Sequence, residues 1–95
     1  MPYCVYVLLC CDGSFYTGYT RDLEARIRLH KNGRGARYTK MHKPKRLVYV
    51  EEFATISEAM KKERKVKKLS HRQKLELIKA NRRVKKTRTI ARRQA

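Results

Sequence analysis

The distribution of apolar and polar residues over the first twenty positions predicts a β-hairpin. Tyr3 to Cys10 is rich in β-branched and aromatic residues, which pleated strands favour. Asp12-Gly13-Ser14 then supplies residues typical of turns, and strand character resumes from Phe15 to Thr20. We therefore expect two antiparallel strands joined by a tight turn.

Two registers of this hairpin remain open, because the sequence does not determine the length of the loop. With a two-residue loop, Tyr6 lies opposite Tyr19, and Tyr16 points to the other face of the sheet. With a three-residue loop, Tyr6 lies opposite Gly18 and Tyr16 is its diagonal neighbour. The second register leaves open space beside both phenols, where a phosphate could approach.

Helical periodicity with start signals appears three times further along the chain. The predicted starts are Thr20 or Asp22 for the first helix, Thr55 or Ser57 for the second and Ser70 for the third. The first helix should end near Lys31, because Asn32-Gly33 is a stop signal. In the third helix, Leu75 and Ile78 are expected to face the core.

A third strand, Arg46 to Phe53, is predicted by composition between the first two helices. The segment before it, Gly33 to Lys45, has no periodicity and many basic side chains, so we expect a mobile loop that faces phosphate. The resulting element order is β-β-α-β-α-α, which is typical of an α+β fold.

Length and charge limit the organisation and the partners. The chain of 95 residues has 26 Lys and Arg against 8 Asp and Glu, a formal charge of +18. One domain, residues 1–80, is expected, followed by a basic tail over 81–95 that is predicted to be disordered because it carries few apolar residues. Such a charge favours a polyanionic partner, and nucleic acid is the best candidate.

Other classes are disfavoured. The longest apolar run, Val5 to Cys11, is much shorter than the roughly 20 residues that span a bilayer, so no membrane segment is expected. Cys4, Cys10 and Cys11 are odd in number and lie in one hairpin, which argues against a disulfide framework and a zinc site and favours a reducing cytoplasm.

Three polar side chains border the predicted apolar stripes of the helices. Arg26 borders the stripe of the first helix, His30 lies at the end of that stripe, and Glu63 lies on the stripe of the second helix. Each also has a structural interpretation: His30 is suited to a hydrogen-bonded core histidine, and Glu63 can pair with Lys67 one turn later. Their joint occurrence with Tyr6 and Tyr16 favours a catalytic site.

The full set of motifs resembles the GIY-YIG nuclease superfamily, in its small single-domain branch, over about residues 3 to 80. The matching pieces are Val5-Tyr6-Val7, Tyr16-Thr17-Gly18, the segment from Thr20 to His30, Gly35-Ala36-Arg37-Tyr38-Thr39, and Ala59 to Lys67. Cys4 and Thr17 depart from the family pattern, which has glycine and isoleucine there. The resemblance implies a three-stranded antiparallel sheet flanked by helices.

The resemblance also implies metal-dependent hydrolysis of phosphodiesters. Under it, Tyr6, Tyr16, Arg26, His30 and Glu63 are catalytic, Glu63 holds one Mg²⁺ or Mn²⁺, and Gly18, Arg37, Tyr38, Lys40 and Lys67 contact the substrate. Tyr6 would take a proton from water if its pKa fell in a cationic field. DNA is the favoured substrate and RNA a possible one; a nucleic-acid-binding module without turnover is the alternative. The oligomeric state stays open.

Overall fold

The computed structural model describes residues 2–80 and 88–89. The strands are β1 (Tyr3–Cys10), β2 (Phe15–Thr20), β3 (Pro44–Phe53) and the short β4 (Arg88–Thr89); the helices are α1 (Leu23–Lys31), α2 (Arg37–Met41), α3 (Ile56–Lys67) and α4 (His71–Ala80). The predicted α+β order and antiparallel three-stranded sheet are confirmed, with α2 and β4 as additions. The rest of the predicted tail, 81–87 and 90–95, lies outside the described residues.

The hairpin adopts the three-residue loop. In the sheet order β2-β1-β3-β4, β1 is central and pairs with β2 so that Tyr6 lies opposite Gly18. The Gly13 amide donates to the Cys10 carbonyl at 2.9 Å, and Gly13 has φ of 86°. This left-handed conformation suits glycine and closes the turn, which decides between the two registers.

Each face of the sheet packs against different helices, because side chains along a strand alternate between faces. On one face, buried Val5 and Val7 join a cluster that contains Ala59 and Val66 of α3. On the other face, Tyr6 and Leu8 form a second buried cluster, against which Leu23 and Ile27 of α1 pack. Alternation thus directs Tyr6 towards α1.

Helix capping settles where the helices begin. Asp22 caps α1 by accepting a hydrogen bond from the Ala25 amide at 3.1 Å. Thr55 caps α3, with both reciprocal bonds of a capping box to Glu58. These bonds satisfy amide groups that have no partner within the helix.

The third predicted helix is confirmed, but one of its expected core positions is wrong. The Ser70 amide donates to the Gln73 side chain at 2.9 Å, as the predicted capping box requires. Leu77 and Ile78 pack against the core. Leu75 is 41% exposed instead, because the face of the helix that packs against the core is the one with Leu77 and Ile78.

The segment 33–45 is not entirely a loop, since Arg37–Met41 forms the short helix α2. Tertiary contacts explain the difference. The Thr39 hydroxyl lies 2.7 Å from the His30 ring, and the Tyr38 ring stacks near Tyr16 with centroids 6.0 Å apart. Such contacts between distant segments leave no periodic pattern in the sequence, so the local pattern did not predict this helix.

The three cysteines, all within residues 2–80, form no disulfide: Cys4 and Cys10 are buried, and Cys11 is exposed. Burial raises the pKa of the Cys10 thiol, which suits its interpretation as a small apolar residue. Among the helices of residues 2–80, none has the length and apolar character needed to cross a membrane.

Candidate active site

A single cleft brings together most of the predicted catalytic residues. It has a volume of about 480 Å³. The predicted residues in its wall are Tyr6, Tyr16, Gly18, Arg26 and Glu63. Three separate elements, the hairpin, α1 and α3, therefore contribute to one surface, as the sequence predicted.

Gly18 makes room for the Tyr6 phenol. A Cβ atom on Gly18 would lie 2.7 Å from the Tyr6 hydroxyl oxygen and 3.1 Å from the Tyr16 ring. Both contacts are closer than van der Waals packing allows, so glycine is required by the space that the two rings occupy. The space that the sequence suggested beside Gly18 is occupied by these rings, which line the cleft together with Gly18.

The Tyr6 hydroxyl is hydrogen-bonded to His30. The Tyr6 oxygen lies 2.7 Å from His30 Nε2, and the side chains are both 1% exposed. On the other side of the ring, His30 Nδ1 lies 2.7 Å from the Thr39 hydroxyl. Thr39 in turn donates to the Ala36 carbonyl at 3.2 Å.

These contacts assign the direction of the hydrogen bonds. Because the Thr39 hydrogen is used towards Ala36, its oxygen accepts from His30 Nδ1–H. The Nε2 atom of neutral His30 then carries the lone pair, and Tyr6 donates its hydroxyl hydrogen to it. The result is an ordered chain from the Tyr6 phenol through His30 to Thr39.

The pKa values of both groups favour their neutral forms. Burial raises the pKa of the Tyr6 phenol above its ordinary 10.0, Tyr16 adds to this rise, and Arg26 opposes it. The lowered pKa that the sequence analysis required of Tyr6 as a base is therefore not found in the free protein, because desolvation outweighs the cationic field. Burial, assisted by Arg26, lowers the pKa of His30 from 6.5 to about 4.

Glu63 both lines the cleft and forms an ion pair with Lys67, so its position agrees with the functional and the structural interpretation of the sequence. Its side chain is 16% exposed and lines the cleft. One of its carboxylate oxygens also lies 3.3 Å from the Lys67 ammonium, one helical turn away. Lys67 is 53% exposed, so this pair is easily screened and leaves Glu63 available to other cations.

The remaining predicted residues surround the site without lining the cleft. Tyr38 on α2 stacks on His42 at 4.1 Å between ring centroids and faces Tyr16 at 6.0 Å. Arg37 and Lys40 are exposed on the same helix. The structure thus places α2 beside the two phenols, with its basic side chains towards solvent.

The donor set of the cleft fits one hard cation and no more. Glu63 is the only carboxylate among the described residues that line it, and residues 2–80 contain no cluster of three or more His, Cys, Asp or Glu suited to a metal. A single carboxylate suits Mg²⁺ or Mn²⁺, which retain several water ligands. A site for two cations would need further acids.

Sequence reasoning missed two residues that hold His30. Thr39 fixes its tautomer, and Gly35 lies against its ring: a Cβ on Gly35 would come within 2.3 Å of Nδ1. Both belong to the motif Gly35 to Thr39, which was noted for its resemblance alone. A buried histidine needs a hydrogen-bond partner at each ring nitrogen, and this requirement could have pointed to Thr39.

Comparison with known proteins agrees with this geometry. Residues 2–76 match the GIY-YIG catalytic domain model. The fold and the site define a nuclease-type domain, and the chain belongs to the GIY-YIG family, in its UPF0213 branch.

Several UPF0213 relatives are similar along most of their length. A UPF0213 protein of Staphylococcus saprophyticus is 53% identical over 74 residues, which cover 78% of this chain and 90% of the relative. The solution NMR structure of a UPF0213 protein from Bacillus halodurans is 48% identical, with a TM-score of 0.55, and covers 83% of this chain and 84% of that one. An E. faecalis protein, also solved by NMR, is 43% identical with a TM-score of 0.59 at the same coverage.

Proposed function

We propose that this protein hydrolyses phosphodiester bonds in nucleic acid, with DNA as the favoured substrate and one divalent cation as cofactor. The observation that carries the proposal is the meeting of Tyr6, Tyr16, Arg26 and Glu63 in one cleft, with a buried proton acceptor behind Tyr6. Structural roles alone do not require a phenol, a guanidinium and a carboxylate to share one surface.

The hydrogen-bond chain supplies a path for the proton of the attacking water. Water in the cleft would give its proton to the Tyr6 oxygen as the Tyr6 hydroxyl hydrogen passes to His30 Nε2. The phenolate is then never a separate species, so the raised pKa of Tyr6 is no obstacle. Imidazolium formation at His30 becomes easier when a substrate phosphate brings negative charge into the cleft.

Charge on the phosphate would be met by Arg26 and by the cation. Arg26, which lines the cleft, would bind a non-bridging oxygen through its planar fork. Glu63 would hold Mg²⁺ or Mn²⁺, which when bound stabilises the charge that develops on the phosphate and the leaving oxygen. Tyr16 would orient the water, since its ring lies 6.3 Å from that of Tyr6.

The basic surface supports a nucleic-acid substrate. Nineteen of the 26 basic residues lie within residues 1–80, beside all 8 acidic ones. We propose that this domain carries the reaction and that Arg37, Lys40 and Lys67 contact phosphates near Gly18 and Tyr38. The basic residues of 81–95 would strengthen association without adding specificity. Cysteines that form no disulfide within residues 2–80 are compatible with a cytoplasmic location.

The test is cleavage of labelled DNA with and without divalent cation, using Glu63→Gln and Arg26→Ala. Each should lose at least about a hundredfold in rate, as expected when a preorganised charged group is removed, while DNA binding persists. Glu76→Gln and Arg28→Ala remove the same charges from exposed positions and should cleave normally. Equal cleavage by all five proteins, purified free of host nucleases, would refute the proposal.

Tyr6→Phe and Tyr16→Phe distinguish the two phenols. If Tyr6 relays the proton, its loss should reduce the maximal rate far more than the loss of Tyr16, because Tyr6 is the phenol that is hydrogen-bonded to His30 Nε2. A larger loss of rate in Tyr16→Phe than in Tyr6→Phe would assign the proton relay to Tyr16.

The ion pair between Glu63 and Lys67 favours a second candidate, a binding module without turnover. In that case Glu63 has only a structural role. This alternative predicts association that weakens steeply with salt and no metal-dependent product at any protein concentration.

A further inference from the structure

The cleft extends beyond the groups used in the proposed hydrolysis. Its wall also contains Tyr3, Tyr19, Arg21 and Ile56, which we call the rim subsite. Gly18 and Arg21 are three residues apart, so the rim subsite begins within about 10 Å of the phenols. None of its four side chains has a part in proton transfer or in holding the cation.

The rim subsite combines aromatic, apolar and cationic surface. The Arg21 guanidinium lies over the Tyr3 ring, 5.7 Å from its centroid, and both residues line the cleft. Ile56 is the first residue of α3 and is 45% exposed. Tyr3 and Tyr19 are half-buried, line the cleft and pack against the core.

This composition fits the flat face of a nucleobase better than it fits phosphate alone. Duplex backbone is bound by cationic and hydrogen-bonding groups, and its bases have both faces covered by neighbouring pairs. Unpaired nucleotides expose those faces, which stack on aromatic rings, on guanidinium planes and on apolar side chains. An exposed isoleucine gains nothing from phosphate but is covered by a base.

We propose that the rim subsite binds the base of an unpaired nucleotide next to the phosphate in the catalytic cleft. The substrate class is then nucleic acid with single-stranded segments, such as overhangs or flaps, in preference to intact duplex. The inference rests on the proposed function for the position of the phosphate, but it is tested by binding without turnover.

The experiment measures fluorescence anisotropy with labelled oligothymidylate and with an abasic oligomer of the same length and charge. Both are bound to a Glu63→Gln protein, which blocks cleavage. We expect oligothymidylate to bind about tenfold more tightly, as one stacked base provides. In the Arg21→Gln/Ile56→Ser protein, this preference should fall to about twofold or less.

Arg28→Gln is the matched control, because it removes one exposed positive charge from α1 and should keep the preference. Retention of the full preference in the Arg21→Gln/Ile56→Ser protein, or its equal loss in the control, would overturn the inference. Circular dichroism verifies folding, which is expected because Arg21 and Ile56 are both exposed. Absence of cleavage would affect the proposed function alone, since this readout needs no product.

Discussion

Acidification should destabilise this protein through one buried side chain, His30. Its pKa is lowered from 6.5 to about 4 by burial and by Arg26, and both ring nitrogens are already engaged by Tyr6 and Thr39. Between these two pH values the unfolded chain binds a proton at this position and the folded chain does not. Stability from His30 is therefore fully present above pH 6.5 and is lost as the pH falls towards 4.

The magnitude follows from the size of the shift. Each pKa unit corresponds to about 1.4 kcal/mol, so the free energy of unfolding should drop by roughly 3 kcal/mol from neutral pH to pH 4. That is a large share of the roughly 5–15 kcal/mol that stabilises a typical domain. Asp12 acts outside this window: hydrogen bonds from Ser14 and His42 hold its pKa below the usual 3.8, so its contribution is lost only in stronger acid.

Urea unfolding at stepped pH, comparing the wild type with His30→Gln, measures the effect. The variant does not titrate at this position, so its stability should change much less between pH 6.5 and 4, even if it is less stable at neutral pH. Subtracting the two curves removes contributions shared by both proteins, including those of His42 and His71. Parallel curves, or a His30 imidazole that titrates by NMR above pH 6, would refute the reasoning.

Two glycine substitutions test the packing of the proton path. Gly18→Ala places a methyl group 2.7 Å from the Tyr6 hydroxyl and should reduce the rate of DNA cleavage at least about tenfold while DNA binding is unchanged. Normal cleavage by this variant would show that Tyr6 is not at the reacting position. Gly35→Ala intrudes on His30 and should cost about 1–3 kcal/mol in urea unfolding, with a shift of the His30 NMR signals. Its control, Gly33→Ala, has a strained φ of +75° but nothing within 4 Å, so it should destabilise without moving those signals.

The sequence alone was sufficient for the elements whose signals are local. The capping residues Asp22, Thr55 and Ser70 were all among the predicted helix starts, with Thr20 and Ser57 as the alternatives for the first two, because a cap bonds to an amide two or three residues away. Strand composition similarly identified β1, β2 and β3 to within a few residues. The catalytic candidates also followed from the chain, since Arg26 and Glu63 interrupt apolar stripes where such residues are unusual.

Contacts between distant segments had to come from the tertiary structure. The hairpin register depended on the backbone conformation of Gly13, and α2 exists where Thr39 and Tyr38 contact residues on α1 and β2. The sequence-based mechanism required a lowered pKa for Tyr6, whereas burial raises it in the folded protein, because net charge is read from composition while desolvation depends on burial. Burial is a property of the folded chain: it keeps Tyr6 and His30 neutral and orders the hydrogen bonds between them.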